Sequence, residues 1–397
     1  MKLRFPLLSL LTISLSITFS SCKAQPQNPI SGQIEMAPDW KPMVYLVQPR
    51  HFNEISADYL GLVIDSAAIE KDGSFHFTKV LPLQAEPQLM NLVVQRSSAR
   101  FANHLEDPLK GAVNYHHVVL QQGTTLKVKA KVNAFQYSFN VEHPSPDQRA
   151  LSALNDIQKA ALEEYLAVSA SDVENDTLLL EREKNFMAYA GHLMNFADTT
   201  SSMNAALIAI RWISPAGDYE RMPEFVQRQC SKWIIVQPDH PLVKELCAMS
   251  RVDIMPVMVG NNIPDYILPL ASGDSMSLHN LLGSKLTLLD IWASWCAPCR
   301  KENRTILVPL WDQYKDKGLQ IVGYSIDSDR DSWQKAIAKD LAAWPQASHL
   351  SGDETPFLKS LRITTIPANY LLDANGKVIA KNVYGEDLRN LVTEYLK

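Results

Sequence analysis

The sequence is poor in glycine and cysteine and has no long run of charge of one sign. Its 397 residues include 15 glycines and 5 cysteines, whereas 46% of them are hydrophobic. So little glycine excludes a collagen-like chain, and so much apolar material excludes a disordered one. Beyond the extreme N-terminus no stretch of about 18 apolar residues occurs, which excludes a protein with several membrane spans. The net charge is −5 and basic residues are not clustered, so nucleic acid is a poor candidate partner.

The first residues are typical of a secretory signal peptide. Lys2 and Arg4 precede an apolar stretch at 5–19, which is short for a membrane-spanning helix. The stretch ends in Phe-Ser-Ser-Cys, which resembles the lipobox of bacterial lipoproteins. This resemblance implies cleavage before Cys22 and attachment of lipid to that residue. The alternative is an ordinary secretory signal cleaved nearby, and both alternatives export the protein.

Export and lipid attachment determine the expected location of the protein, and they make a membrane one of its expected partners. A short polar segment with two prolines follows Cys22 and is interpreted as a tether. This segment has no acidic run of the kind associated with display on the cell surface. We therefore expect a periplasmic protein anchored by lipid to a membrane, with the periplasmic face of the outer membrane favoured.

The rest of the chain changes its hydrophobic pattern twice, in keeping with the two or three domains that its length predicts. Seven short alternating runs, separated by turns such as Asp72-Gly73, predict a β-sandwich. From about residue 144 the apolar spacing becomes helical, with Ser145 or Asp147 near the first helix start. After residue 259 strands and helices alternate, which predicts an α/β fold.

The sequence therefore predicts a multidomain protein of mixed class. The predicted divisions are a signal peptide at 1–21, a tether at 22–29, a β-sandwich module at 30–143, a helical region at 144–255 and an α/β domain at 259–397. The helical region concentrates no reactive groups, so spacing and docking are its expected roles.

The decisive motif is a pair of cysteines, Cys296 and Cys299, at a predicted strand-to-helix junction. The first sulfur then lies at a helix N-terminus, where unpaired N–H groups and the helix dipole favour a thiolate. Because the thiolate is the species that attacks a disulfide, Cys296 is the expected nucleophile. Cys299, one turn further on, would attack the mixed disulfide and release the product. No cofactor is expected beyond the redox-active disulfide of this pair.

Three alternatives compete with a redox-active pair. The motif can form half of a zinc site, but no second cysteine or histidine pair has suitable spacing, so no metal is expected. It can also form a structural disulfide, which the strand–helix setting disfavours. A peroxiredoxin-like peroxidase is the third alternative. That family requires a threonine three residues before its reactive cysteine, where this chain has Ala293.

Residues 259–397 resemble the thioredoxin superfamily and, within it, the TlpA-like thiol–disulfide oxidoreductases. The resemblance rests on Trp-Cys-Ala-Pro-Cys at 295–299 and on Thr-Ile-Pro at 365–367. It implies that Pro367 is a cis proline facing the cysteines, and that the backbone of Ile366 binds an extended substrate segment by strand-like hydrogen bonds. The residues expected at the substrate-binding surface are Trp295, Ala297, Pro298, Ile366 and Pro367.

The resemblance also implies a buried acid behind the cysteine pair. Asp290 precedes Cys296 by six residues, where thioredoxins carry a buried aspartate. Burial would raise the pKa of its carboxyl, which could then accept the proton of Cys299 as that thiol attacks. An exposed strand aspartate is the alternative.

A second acid, Glu302, matches a glutamate that TlpA-like proteins carry beside the site. It could instead be a solvated helix residue paired with Arg300 or Lys301. The family often has a proline where this chain has Arg304, so the presence of a kink in this helix is left open.

Four further residues have chemistry that the motif does not use. Cys230 and Cys247 lie on two predicted helices and are candidates for a structural disulfide. His116 and His117 precede a β-run and are expected at the surface or at a sheet edge, without a metal.

The leading hypothesis is a lipid-anchored thiol–disulfide oxidoreductase of the periplasm that reduces protein disulfides. Its expected partners are exported proteins with thiols or disulfides and an electron donor in the membrane. The expected direction of the reaction is reduction of the substrate disulfide. It rests on two features that resemble the reducing members of the superfamily: Ala-Pro between the cysteines and Ile366 before Pro367. The alternative class is a binding or scaffold lipoprotein of the envelope. In that case the N-terminal β-module has the main role. Residues 64–77 of this module resemble a β-rich module found before thioredoxin modules in exported lipoproteins.

Overall fold

The computed structural model describes residues 30–79, 81, 83–169 and 179–397. The predicted signal peptide, the tether and Cys22 lie outside the described residues. Within the described ranges, no helix combines the length and the apolar character needed to cross a bilayer.

The N-terminal region contains two four-stranded sheets. Their strands are β1 (Ile30–Glu35), β2 (Trp40–Gln48), β3 (Leu62–Ala68), β4 (Ser74–His76), β5 (Gln88–Arg96), β6 (Tyr115–Leu120), β7 (Leu126–Lys131) and β8 (Asn140–Glu142), with a short helix, α1 (Phe135–Ser138), before β8. The sheet orders are β4-β1-β7-β8 and β3-β2-β5-β6. Apolar side chains from both sheets form one shared core. All pairings are antiparallel except that of β1 with β7.

The predicted turn at Asp72-Gly73 shows how local sequence fixes this region. Gly73 has a φ of +84°, and a Cβ atom there would lie 2.6 Å from the carbonyl oxygen of Ile34. Only glycine tolerates both constraints. The Asp72 carboxylate accepts hydrogen bonds from the backbone N–H and the hydroxyl of Ser74, which closes the turn.

The two histidines were expected at the surface or at a sheet edge, and they lie in an edge strand without being at the surface. His116 and His117 lie inside β6, which is an edge strand, yet both are buried. His117 contacts Asn91 through Nδ1 and Ser56 through Nε2. Burial lowers the pKa of each imidazole to about 3. The edge position is as expected, but the surface position is wrong. The helical region covers the face of β6 that carries His117, which contacts Trp212 of the helical core, whereas His116 lies on the other face and stacks on Phe139.

Five helices form the middle region. They are α2 (Pro146–Ser169), α3 (Leu179–Thr199), α4 (Met203–Ile213), α5 (Pro223–Val236) and α6 (Pro241–Met249). Ser145 caps α2, since its hydroxyl accepts a hydrogen bond from the N–H of Gln148. Proline opens α5 and α6, a position where its missing N–H is tolerated. Cys230 of α5 and Cys247 of α6 form a disulfide that closes a separation of 17 residues.

The C-terminal region is an α/β domain around a five-stranded sheet of order β13-β12-β11-β14-β15. Its strands are β9 (Ile267–Pro269), β10 (Ser275–Ser277), β11 (Leu286–Trp292), β12 (Leu319–Ser325), β13 (Gln346–Ala347), β14 (Ala368–Asp373) and β15 (Val378–Lys381). Its helices are α7 (Ala297–Glu302), α8 (Val308–Tyr314), α9 (Arg330–Asp340), α10 (Pro356–Leu361) and α11 (Gly385–Tyr395).

Strand β11 is the centre of this domain. It runs parallel to β12 and antiparallel to β14, and all seven of its residues are buried. Two apolar cores include alternate residues of β11. A strand buried on both faces needs the nearly continuous apolar run that predicted it.

The helix after the cysteine motif is not uniform. A π-helical turn at Asn303–Leu307 separates α7 from α8, and Pro309 lies in the first turn of α8. Arg304 lies inside the π turn, so the helix departs from regular geometry without a proline at that position. π turns of this kind are frequent beside functional sites.

Candidate functional site

The two cysteines of the motif lie where β11 gives way to α7, and they are bonded to each other. Cys296 is the N-cap residue of α7, and its Sγ accepts a hydrogen bond from the N–H of Cys299 at 3.3 Å. Both residues are buried, with exposures of 5% for Cys296 and 2% for Cys299. The first sulfur therefore faces the N–H groups at the start of the helix, as the spacing predicts.

The loop before Cys296 is held by a carboxylate that sequence reasoning missed. Asp327 accepts hydrogen bonds from the N–H and the hydroxyl of Ser294, at 2.8 and 2.6 Å. Asp327 comes two residues after β12, which is parallel to β11. The carboxyl ends of neighbouring parallel strands meet at one edge of a sheet, and this rule could have indicated the contact from the sequence.

The helix side of the loop is held by Arg300. Its guanidinium donates to the carbonyl oxygen of Ser294 at 3.0 Å and forms an ion pair with the buried Asp340. Arg304 pairs with the same carboxylate at 2.7 Å. One alternative paired Arg300 with Glu302. Arg300 instead contacts Asp340 and Ser294.

Asp290 lies in the middle of β11 and is buried. Burial, together with the negative charge of Glu302, raises the pKa of its carboxyl to about 8. A carboxyl with such a pKa exchanges a proton near neutral pH, which an ordinary aspartate does not.

Glu302 is the last residue of α7 and is also buried, so it is not a solvated helix residue. Its Oε1 accepts a hydrogen bond from the N–H of Gly385 at 2.8 Å, at the start of α11. Burial raises the pKa of this carboxyl as well, although the Gly385 hydrogen bond opposes the rise. The charge of Glu302 therefore disfavours the ionisation of Asp290.

The peptide bond between Ile366 and Pro367 is cis. The carbonyl oxygen of Pro367 accepts hydrogen bonds from Tyr384 at 2.7 Å and from Arg221 at 2.9 Å. Arg221 belongs to the segment between α4 and α5, so the helical region contacts this loop directly. No pattern in the sequence indicates this contact, which joins residues 146 positions apart.

The residues expected at the substrate surface differ in exposure. Trp295 is 66% exposed and projects beside the nearly buried Cys296. Ala297 and Ile366 are half-buried, whereas Pro298 and Pro367 are buried. An exposed aromatic side chain next to a recessed sulfur is suited to contact with a partner. Across the described ranges, no group of three or more metal-ligating side chains is found.

The part of the chain that carries this site is similar to known proteins. Residues 258–394 match the family model described as Redoxin. The thiol-disulfide oxidoreductase ResA of Bacillus thuringiensis subsp. konkukian is 27% identical over 139 residues, which are 35% of this chain and 77% of that protein. The thioredoxin-like protein YneN of Bacillus subtilis is 29% identical over 122 residues, 31% of this chain and 69% of that protein.

Solved structures match about a third of the chain. The thioredoxin domain of a thiol-disulfide oxidoreductase from Bacteroides vulgatus is 33% identical, with 36% of this chain and 99% of that chain covered and a TM-score of 0.34. A thiol-disulfide oxidoreductase from Bacteroides fragilis is 34% identical, with 34% and 98% covered and a TM-score of 0.32.

The fold, the bonded cysteine pair and the Redoxin match together define a thioredoxin-like domain at the C-terminus. The protein is a thiol–disulfide oxidoreductase. The expectation of an enzyme of this class is confirmed, as is the expectation of a thioredoxin-like C-terminal fold.

Proposed function

We propose that this oxidoreductase acts by dithiol exchange through Cys296 and Cys299 and reduces disulfides in exported proteins. The observation that supports it most directly is the bonded pair at the start of α7, with the Sγ of Cys296 against the helix N–H groups. Such a position favours the thiolate once the pair is reduced.

The exchange proceeds in two steps. The Cys296 thiolate attacks one sulfur of a substrate disulfide, forms a mixed disulfide and displaces the other substrate sulfur as a thiolate. Cys299 then attacks the Sγ of Cys296, which releases the second substrate thiolate and leaves the Cys296–Cys299 disulfide. Two electrons pass to the substrate, and a membrane dithiol donor must return them by the same exchange in reverse.

Asp290 and Glu302 serve the second step. Cys299 is buried and must lose its proton to attack. A carboxyl whose pKa is raised to about 8 by burial is matched to a thiol, whose ordinary pKa is about 8.5, far better than an exposed aspartate would be. Glu302 contributes by its charge, since its ionisation raises the pKa of Asp290.

Substrate binds across Trp295, Ala297 and Pro298 on one side and Ile366 and Pro367 on the other. The exposed indole of Trp295 offers apolar contact area. In the described chain, the backbone N–H and C=O of Ile366 form no hydrogen bond. They are therefore free to pair with an extended polypeptide, as strand addition requires.

The location proposed is the periplasmic face of the outer membrane, with lipid on Cys22 as the anchor. The two N-terminal sheets are proposed to form a β-sandwich module, because they share one core. That module and the helices hold the redox domain away from the membrane surface.

Trapping of the mixed disulfide tests the exchange mechanism. Full-length Cys299→Ser, reduced and mixed with a disulfide-bonded protein, should accumulate a covalent complex that dithiothreitol dissolves, because no resolving thiol remains. The matched control, Cys296→Ser, should form none. Complexes of equal yield with both variants would contradict the assignment of the two roles.

A further inference from the structure

The segment between α4 and α5 reaches the loop before the cis peptide bond. The Glu220 carboxylate accepts hydrogen bonds from the N–H of Thr364 at 2.8 Å, from the hydroxyl of Thr364 at 2.7 Å and from the N–H of Thr365 at 3.1 Å. One side chain of the helical region therefore holds two consecutive residues of the redox domain.

The next residue holds the other side of the same loop. Arg221 donates from Nη2 to the carbonyl oxygen of Pro367, and its Nε forms an ion pair with Glu183 of α3 at 3.1 Å. Its side chain is 15% exposed. The guanidinium is thus fixed from both ends, and its planar fork retains the direction of each hydrogen bond.

Between these two anchors lies Ile366, the residue with free backbone groups. Its neighbours at 364–365 and at 367 have their N–H or C=O groups bonded by Glu220 and Arg221. No hydrogen bond of Ile366 itself is found in the described ranges. The loop is therefore held on both sides of Ile366, whose own N–H and C=O remain open.

We propose that Glu220 and Arg221 are positioning residues that fix the backbone of Ile366 for the binding of a polypeptide disulfide. This inference rests on the proposed function. The two side chains contact neither the substrate nor the cysteines. They act through the loop, so the helical region contributes to substrate affinity rather than serving as a spacer alone.

The physical reason is the entropy of binding. An extended substrate segment that pairs with a mobile loop must order both chains, whereas pairing with a fixed loop orders only the substrate. A small aromatic disulfide has no backbone to pair with Ile366, so its reaction with Cys296 does not draw on the fixed loop. Removal of the Glu220 carboxylate should therefore weaken the reaction with a polypeptide disulfide and leave the reaction with a small disulfide unchanged.

The test compares two disulfides in full-length protein. Glu220→Ala is assayed with insulin, using dithiothreitol as the electron donor, and with 5,5′-dithiobis(2-nitrobenzoate) in a single turnover of the reduced protein. We expect KM for insulin to rise about tenfold, which corresponds to the cost of ordering the backbone of about one loop residue when substrate binds. The kcat for insulin and the rate with the small disulfide should stay within a factor of about two. Glu220→Gln retains one acceptor oxygen and should give an intermediate KM.

The matched control is Glu224→Ala. Glu224 also joins the helical region to the redox domain, but it contacts the N–H of Val259 and the ammonium of Lys381 instead of the loop. This variant should leave KM for insulin within a factor of about two of the wild-type value if loop position matters rather than the interface as a whole.

Each other outcome overturns the inference. An unchanged KM for insulin in Glu220→Ala would show that the loop binds substrate equally well without the Glu220 hydrogen bonds. If Glu220→Ala lost activity equally with insulin and with the small disulfide, Glu220 would have only a general structural role. The same would follow if Glu224→Ala raised KM for insulin as much as Glu220→Ala does. Wild-type protein without exchange on either disulfide would instead refute the proposed function, which keeps the two failures distinct.

Discussion

Among the described residues there are two disulfides, and their surroundings differ. Cys230–Cys247 joins two helices across 17 residues, and the helical core packs beside it. Cys296–Cys299 spans 3 residues at the start of a helix, in the domain that buries Asp290 and Glu302. We therefore propose a different role for each of the two bonds. The surroundings, and not the presence of a disulfide, identify the redox site.

A sequence-local motif identifies one pair and not the other. The Cys-x-x-Cys spacing and the apolar strand before it predicted the strand–helix junction, because both features are local. Cys230 and Cys247 remained candidates, since bonding between them depends on how two helices pack. The pair that is close in sequence could therefore be predicted, whereas the bond between the two distant cysteines could not.

The largest expected contrast concerns activity. Cys296→Ser should abolish disulfide exchange, because it removes the sulfur at the helix end. The double variant Cys230→Ser/Cys247→Ser should keep exchange activity within a factor of about two, because that disulfide lies outside the redox domain. Insulin reduction by both full-length variants measures the contrast. Loss of activity in the double variant would show that the two disulfides are functionally coupled.

The next contrast concerns proton transfer. Asp290→Asn preserves the shape of the buried side chain but cannot accept a proton. Attack by Cys296 should persist, whereas release of the mixed disulfide should slow by about 100-fold, which is typical of a lost general base. Stopped-flow kinetics with a fluorescent peptide disulfide separates the two steps. An unchanged release rate would remove Asp290 from the mechanism.

Burial of Asp290 also affects stability in a pH-dependent way. Its pKa is about 8 in the folded protein and ordinarily 3.8, so between these values the folded state binds more protons than the unfolded state. The contribution of Asp290 to stability is therefore greatest below about pH 4, falls as pH rises, and levels off above about pH 8.

Asp290→Asn removes this dependence. The variant should gain stability over the wild type as pH rises from 4 to 8, by at most about 5 kcal/mol, since each pKa unit corresponds to about 1.4 kcal/mol. Urea unfolding at pH 5, 7 and 9 measures the difference. A gain of the same size at all three pH values would mean that Asp290 is ionised in the fold.

The smallest expected effect concerns the helical region. Loss of the Cys230–Cys247 bond should lower its free energy of unfolding by about 3 kcal/mol, the value expected for a loop of this length. Urea unfolding of Cys230→Ser/Cys247→Ser, followed by circular dichroism, tests this. Cys296→Ser/Cys299→Ser is the matched control, and its shorter loop should give a smaller loss.

The fold was predictable where patterns are local, and the failures have one physical cause. His116 and His117 were expected at the surface or at a sheet edge; β6 is an edge strand, but both side chains are buried by groups that follow them in the chain, Phe139 for His116 and Trp212 for His117. Glu220 and Arg221 have no motif of their own, and only tertiary packing brings them to a loop more than 140 residues away. Asp290 and Glu302 were found only because a resemblance marked their positions.

The measurement that bears most directly on the central claim is the order in which the two cysteines react. Fully reduced protein is treated with limiting iodoacetamide across a range of pH, and the modified peptides are quantified by mass spectrometry. Cys296, at the helix end, should be alkylated first and at the lower pH, with Cys299 following only at higher pH. Alkylation of Cys299 before Cys296 would contradict the assignment of nucleophile and resolving thiol.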